Sequence, residues 1–226
     1  MALLFCSHRV EDFNKFVAVH RQGQDVRDNF ACIDNETLRS HDDPNSIATI
    51  HCFNNLENAL GFRNDPDFML RLQLAGVINA CPCGPNCACG PDCKCVSNGE
   101  NSDSSECKCG CSKEDDTSII LFTKAQSCSN ITERERAMLL IFQETDDWNK
   151  WNQVYNKSID LFKKYHVISR NVYTLPTDSS KILVTHSFGN LKDCIQMSED
   201  QDLLDRMKQC CIESSFSKKM VMEIIN

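Results

Sequence analysis

The chain has 226 residues, of which 41% are hydrophobic and 25% charged, and its formal net charge is −8. This composition fits a soluble globular protein with one large or two small domains. No run approaches the ~18 apolar residues of a membrane-spanning helix, and the first residues do not resemble a secretory signal. Because the net charge is −8 and Lys and Arg are dispersed, we expect no nucleic-acid partner. Without an export signal or a spanning segment, we expect no membrane partner and a cytoplasmic, reducing location.

The first predicted elements alternate between strands and a helix. Leu3–Ser7 is a short apolar run typical of a buried strand. Between Phe13 and His20 the apolar residues recur every three to four positions, which predicts an amphipathic helix. A weak strand is predicted near Cys32–Leu38, and Ile47–Phe53 is a strand rich in β-branched residues.

A second helix is predicted to begin near Pro66, since proline is tolerated at the first helical position. The strand that should close this unit, Thr117–Thr123, comes only after a cysteine-rich segment. We therefore interpret residues 79–116 as an insert in the loop between the second helix and the last strand.

The rest of the chain repeats this order. Ala2–Val77 matches Ala137–Ile212 without a gap, with 17 identities over 76 positions. The segment DFNKF at 12–16, for example, returns as DWNKW at 147–151. Such agreement indicates an internal duplication. We predict a first unit at 1–126 that carries the insert, a linker at 127–136 and a second unit at 137–226.

Each unit has the order β-α-β-β-α-β, with Lys219–Ile225 as the closing strand of the second. This order resembles the ferredoxin-like fold of the dimeric α/β-barrel superfamily. The resemblance implies an α+β chain of two tandem ferredoxin-like units whose sheets pack face to face. The two units would then form an intramolecular pseudo-dimer.

The insert contains nine of the sixteen cysteines of the chain. Five Cys-x-Cys steps recur with Gly-Pro between the early pairs, and no aromatic residue accompanies them. Extended backbone sends alternate side chains the same way, and soft thiolates bind Zn²⁺ and Cu(I) tightly. Three of nine thiolates would bridge if about three tetrahedral divalent ions were bound per chain. The predicted metal ligands are Cys81, Cys83, Cys87, Cys89, Cys93, Cys95, Cys107, Cys109 and Cys111.

This pattern resembles a metallothionein over 31 of the 226 residues. The resemblance implies a non-enzymatic protein that sequesters or buffers Zn²⁺, Cu(I) or Cd²⁺, with metal ions as its partners. A disulfide-stapled loop and a zinc ribbon are the alternatives for this segment, and the Cys-x-x-Cys spacing of a ribbon is missing. A redox sensor that releases metal on oxidation is another.

An enzyme or small-molecule binder of the α/β-barrel type is the alternative function for the whole chain. Its ligand would occupy a cavity between the two sheets, and the cysteine-rich loop would be a regulatory metal site. His51 and His186 are equivalent in the duplication and could project into that cavity, although buried core histidines would explain the same pattern. The other cysteines are interpreted mainly as core thiols. They are Cys6, Cys32, Cys52, Cys128, Cys194, Cys210 and Cys211.

Overall fold

The computed structural model describes residues 1–78, 118–129 and 134–225. The first unit consists of β1 (Ala2–Val10), α1 (Phe13–Gln22), α2 (Gln24–Asn29), β2 (Cys32–Ser40), β3 (Ser46–Phe53), α3 (Leu56–Arg63), α4 (Pro66–Leu74), β4 (Val77–Ile78) and β5 (Ser118–Ser129). The second consists of β6 (Ala137–Glu144), α5 (Trp148–Lys157), α6 (Ile159–Lys164), β7 (Val167–Leu175), β8 (Asp178–Phe188), α7 (Leu191–Glu199), α8 (Gln201–Cys210) and β9 (Lys218–Ile225). In the part of the chain that the structure describes, no helix is long and apolar enough to cross a membrane.

The helices begin at capping residues that the duplication has kept. The side chains of Asp12 and Asp147 accept hydrogen bonds from the first turns of α1 and α5. Asn55 and Asn190 do the same for α3 and α7. An oxygen at the cap satisfies an amide that would otherwise have no partner within the helix. The starts of these four helices are therefore encoded locally, and at equivalent positions of the two units.

Backbone conformation repeats as well. Ala31 and His166 occupy equivalent positions, just before β2 and β7, and both have φ of 51°. A positive φ is uncommon for residues other than glycine. Two such residues at the same place in both units indicate that the turns have a common origin.

The eight long strands close into one antiparallel barrel. Their order is β3-β2-β9-β6-β8-β7-β5-β1, and β1 pairs back with β3. Around the barrel, equivalent strands of the two units lie four places apart. For example, β8 follows β6 in the second unit as β3 follows β1 in the first. Because four antiparallel steps restore the strand direction, a pseudo-two-fold axis runs along the axis of the barrel.

The prediction of two separate sheets packed face to face is wrong, because the last strand of each unit also pairs with the other unit. β9 pairs with β6 of its own unit and with β2 of the first. β5 pairs with β1 through Thr123 and continues to Ser129 along β7. These pairings satisfy the sheet edges that two separate sheets would expose. The predicted boundaries of the two units and the linker stay a prediction.

β4 and β5 pair with neighbouring stretches of β1. Ile78 of β4 pairs with Arg9, and Ser118 of β5 pairs with Ser7, so the two described ends lie on either side of a single β1 position. In the second unit the equivalent connection has only residues 213–217, between the Glu144–Ile212 bridge and the start of β9.

Alternating side chains along the strands divide the core into three layers. The barrel interior contains Phe5, Leu38 and Phe142, among others. One helix-covered layer contains Phe16 and Phe62 of the first unit, and the other contains equivalent residues of the second unit. The core-thiol prediction is confirmed for three free cysteines, which are Cys6, Cys194 and Cys210.

Candidate functional site

A cavity of ≈ 250 Å³ lies at the end of the barrel where β1 and β6 begin. The barrel interior beyond it is filled by aromatic rings, with Phe5 and Phe142 in edge contact at 5.1 Å between centroids. The cavity lining is made of Leu3, Asp34, Asn35, Glu36, Ile50, Cys52, Lys124, Glu135, Met138, Ser169, Asn171, Tyr173, Thr185 and Ser187.

The duplication supplies both walls of this cavity. Its lining includes residues from equivalent positions in the two units, 135 residues apart. The equivalent pairs are Leu3 and Met138, Asp34 and Ser169, Glu36 and Asn171, Ile50 and Thr185, and Cys52 and Ser187. The cavity therefore lies on the pseudo-two-fold axis, with β2 and β3 opposite β7 and β8 across the barrel.

We call the side formed by β2 and β3 the first wall and the side formed by β7 and β8 the second wall. Glu36 is the unusual group of the first wall. Its Oε2 atom is buried and has no hydrogen-bond partner among the described residues. Burial, together with the nearby charges of Glu135 and Asp34, raises the pKa of this carboxyl group to about 7. A carboxyl group that titrates near neutral pH can both donate and accept a proton under ordinary conditions.

The other titratable groups around Glu36 behave differently. Asp34 lies opposite Cys52 in the ladder between β2 and β3. Burial, followed by the charge of Asp34, raises the pKa of the Cys52 thiol to about 12. Burial also raises the pKa of the Tyr173 hydroxyl, so both groups stay protonated at neutral pH. Lys124, which pairs with Tyr173 between β5 and β7, brings a positive charge.

The second wall is neutral and hydrogen-bonded within itself. The Ser169 hydroxyl donates to Ser187 Oγ across 2.9 Å, and the Asn171 amide donates to Thr185 Oγ1 across 3.4 Å. Hydroxyl and amide groups keep further donor and acceptor capacity after one bond. This wall can therefore orient a polar ligand without contributing charge.

The two predicted histidines do not face this cavity. His51 and His186 lie on the outer faces of β3 and β8, beneath the helices. Each is 1% exposed. His51 contacts the Phe62 ring at 5.0 Å between centroids, and His186 contacts the Phe162 ring at 5.1 Å. The hypothesis that they share one cavity between the sheets is wrong, because alternate strand residues point to opposite faces.

Each histidine instead borders a small cavity of its own unit, of ≈ 30 Å³. Within the described residues, neither ring nitrogen of His51 or of His186 has a hydrogen-bond partner. Burial lowers the pKa of His186 to about 3 and holds the pKa of His51 well below its ordinary value. Both rings are therefore neutral, and a space of this size holds a water molecule or two.

The nine cysteines predicted to bind metal fall within residues 79–117, outside the residues that the structure describes, and their role as ligands stays a prediction. Over residues 1–78, 118–129 and 134–225, no group of three or more His, Cys, Asp or Glu residues is arranged to hold a metal ion. The charges of Asp34 and Glu135 thus act on Glu36, but the three carboxyl groups do not form a metal site.

No protein-family model and no curated protein sequence matches the chain. Solved structures do. A candidate monooxygenase from Fusobacterium nucleatum aligns over 100% of this chain and 92% of its own, with a TM-score of 0.56 and 6% identity. A monooxygenase-like protein from Listeria innocua aligns over 100% and 95%, with a TM-score of 0.52 and 8% identity. A haem-degrading enzyme from Listeria monocytogenes aligns over 99% of both chains, with a TM-score of 0.50 and 6% identity. At identities this low, the structural alignments show a shared fold alone.

These likenesses correct the interpretation that the cysteines suggested. The chain is similar along its length to proteins named as monooxygenases or as a haem-degrading enzyme, and its described residues contain no metal-binding group. The prediction of a metallothionein-like, non-enzymatic metal buffer is therefore wrong. So is the prediction of about three Zn²⁺, Cu(I) or Cd²⁺ ions as its cofactors. The alternative, a barrel enzyme or small-molecule binder, agrees better with the fold.

Haem, which one of these proteins degrades, does not fit the spaces described. Small-molecule pockets usually have volumes of roughly 300–1,000 Å³, and the two histidine-lined cavities hold only ≈ 30 Å³ each. The barrel cavity is larger, but no histidine belongs to its described lining.

The sequence does contain a signal for the barrel cavity that its analysis missed. Asp34 and Glu36 alternate with Asn35 and Thr37 ahead of the buried Leu38, and Ser169 and Asn171 stand at the equivalent places in the second unit. Polar residues on the apolar face of a predicted strand, twice at the same position, indicate a polar pocket at the end of the sheet.

Proposed function

We propose that the chain is an enzyme acting on a small organic molecule, which binds in the barrel cavity and exchanges a proton with Glu36. One observation carries this proposal: a buried Glu36 oxygen without a partner among the described residues borders a cavity of ≈ 250 Å³. A polar atom removed from water without a hydrogen bond costs free energy, which is typical of groups kept for function. A pKa of about 7 for Glu36 suits a general acid or base.

The remaining lining would bind and orient the substrate. Leu3 and Ile50 offer an apolar floor, and Ser187 and Asn171 offer hydrogen-bonding groups on the wall opposite Glu36. Lys124 can compensate negative charge that forms on the substrate when a proton is removed. Similar structures named as monooxygenases and a haem-degrading enzyme support an enzyme rather than a storage protein.

A cytoplasmic location is part of the proposal. The described free thiols Cys6, Cys52 and Cys194 keep their protons, because burial raises their pKa values to about 12. Unpaired cysteines are usual in a reducing compartment.

Proton exchange at carbon tests the proposal directly. Small ketones would be incubated with the chain in D₂O, and the loss of the hydrogen next to the carbonyl would be followed by ¹H NMR. We expect the catalysed rate to rise with pH through about 7, because the Glu36 carboxylate is the base. Glu36→Gln should lower the rate by at least about 100-fold.

Glu57→Gln, at an exposed carboxyl group on α3, is the matched control and should exchange like the unchanged chain. Equal rates for Glu36→Gln and the unchanged chain, at every pH, would overturn the proposed role of Glu36.

A further inference from the structure

The two walls of the barrel cavity differ in charge although they occupy equivalent positions. Asp34 and Glu36 of β2 face Ser169 and Asn171 of β7 across the barrel. Glu135, just before β6, adds a third carboxyl group to the lining. Duplicated halves begin identical, so this difference arose after the duplication and gave the cavity a charged side and a neutral side.

The charged side needs hydrogen-bond donors. Asp34 is exposed at the mouth, Glu135 is half-buried, and Glu36 Oε2 is buried without a partner among the described residues. Ionised carboxylates only accept hydrogen bonds. Lys124 is the one cationic residue of the described lining, so the carboxyl groups outnumber the positive charge by three to one.

The neutral side favours a different group. Ser187 and Ser169 already share one hydrogen bond, as do Thr185 and Asn171. Hydroxyl groups retain acceptor capacity in that arrangement, so a ligand hydroxyl can join either pair. Between the two sides, Leu3, Ile50 and Met138 provide a surface for a ring or a short hydrocarbon.

We propose that the ligand of this cavity is a small organic cation, an amine whose ammonium group meets the acidic wall and whose hydroxyl group meets the serine and threonine wall. This inference rests on the proposed function, because it assigns a chemical class to the substrate of the same cavity. The volume, ≈ 250 Å³, lies just below the usual range for ligand pockets of roughly 300–1,000 Å³ and limits the ligand to a small molecule.

Other ligand classes fit less well. An inorganic cation would need converging ligands, and no such group of three occurs among the described residues. An anion would lie beside three carboxyl groups with one lysine to compensate, and like charges at close range repel.

Three probes of nearly the same shape test the inference. Tyramine, tyrosol and 4-hydroxyphenylacetate share a phenol ring and differ in carrying an ammonium, a hydroxyl or a carboxylate group. Calorimetric titration at about pH 8, with Glu36 mostly ionised, should give tyramine an affinity at least about tenfold above that of tyrosol, since a hydrogen bond to a charged partner is the stronger one. The carboxylate should bind most weakly.

The preference should depend on pH through Glu36. As the pH falls through about 7, Glu36 takes up a proton and the advantage of tyramine over tyrosol should shrink. The groups that face Glu36 are Asp34, Glu135, Lys124, Cys52 and Tyr173. The raised pKa values of Cys52 and Tyr173 keep these two protonated across this range.

The duplication also provides a decisive pair of variants. Glu36→Gln should sharply reduce the preference for tyramine, and the double variant Glu36→Asn with Asn171→Glu should restore it, because the carboxylate then stands at the equivalent position on the opposite wall. Glu57→Gln, at an exposed residue outside the cavity lining, is the control and should bind as the unchanged chain does.

The outcomes separate the inference from the proposed function. Tighter binding of tyrosol or of the carboxylate would overturn the inference and leave the cavity as a binding site. If none of the three binds at millimolar concentration, the inference fails, and the exchange assay with small ketones decides the proposed function separately. Retention of the tyramine preference in Glu36→Gln, with folding confirmed by circular dichroism, would also overturn the inference.

Discussion

The layers of side chains beneath the helices differ between the two units at equivalent positions. In the second unit the Trp151 indole donates a hydrogen bond to Gln143 Oε1 across 2.8 Å. In the first unit Phe16 has no donor to offer, and both ring nitrogens of His8 lack partners within the described residues. Only the second layer satisfies its buried polar group at this position.

The comparison extends to the number of buried histidines. The first layer contains His8, His20 and His51, whereas the second contains His186 alone at these positions. Burial lowers the pKa of His8 to about 3 and that of His20 to about 4. The first unit thus contains three of these four neutral histidines, and proton uptake by any of them would destabilise the folded chain.

Acidification should produce the largest effect. Above pH 6.5 these histidines are neutral whether the chain is folded or unfolded. Below it the unfolded chain binds protons that the folded chain does not, so the free energy of unfolding should fall by about 1.4 kcal/mol per pH unit for each histidine. The loss should continue down to the folded pKa values of about 3–4.

Urea unfolding at about pH 7.5 and pH 5 measures this loss. The variant His8→Gln with His20→Tyr, which installs the residues of the second unit, should lower its slope with pH by about two protons. His41→Gln, at an exposed histidine, is the control. An unchanged slope in the double variant would contradict the assignment of acid sensitivity to the first unit.

A smaller effect is expected from the hydrogen bond that distinguishes the second layer. Trp151→Phe introduces the type of residue found in the first unit and leaves buried Gln143 without its donor, which should cost about 1–3 kcal/mol beyond the lost ring volume. Combining it with Gln143→Leu should recover part of the loss, because no buried polar atom is then left unpaired. Thermal unfolding of the two variants checks this, and additive losses would argue against the hydrogen bond as the cause.

The smallest effect should come from shortening the connection between β4 and β5 of the first unit. Replacing residues 79–117 by residues 213–217 gives the first unit the short connection of the second. Loop closure changes by about 0.6 kcal/mol per doubling of length, so stability should rise by less than about 2 kcal/mol. Far-UV circular dichroism and urea unfolding would report this, and a chain that no longer folds would show that the insert stabilises the barrel.

Much of the fold could be predicted from the sequence, since the signals for it are local. The strand at Ile47–Phe53 and its repeat follow from β-branched residues, and the ungapped match between the units follows from their common origin. Closure of the barrel could not be predicted, because the pairing of β5 with β7 joins residues with no shared local pattern. The number and Cys-x-Cys spacing of the cysteines led the functional prediction away from the barrel, whereas the role of Asp34 and Glu36 depends on neighbours that only the fold brings near.

The ionisation of Glu36 tests the account most directly, because the acidic wall, the proton transfer and the ligand class all depend on it. The carboxyl ¹³C shift of Glu36, assigned by comparison with Glu36→Gln, would be followed across the pH range in the full chain. We predict a midpoint of about 7 that falls when tyramine is added. A midpoint at the ordinary value of 4.5, unchanged by tyramine, would contradict the account.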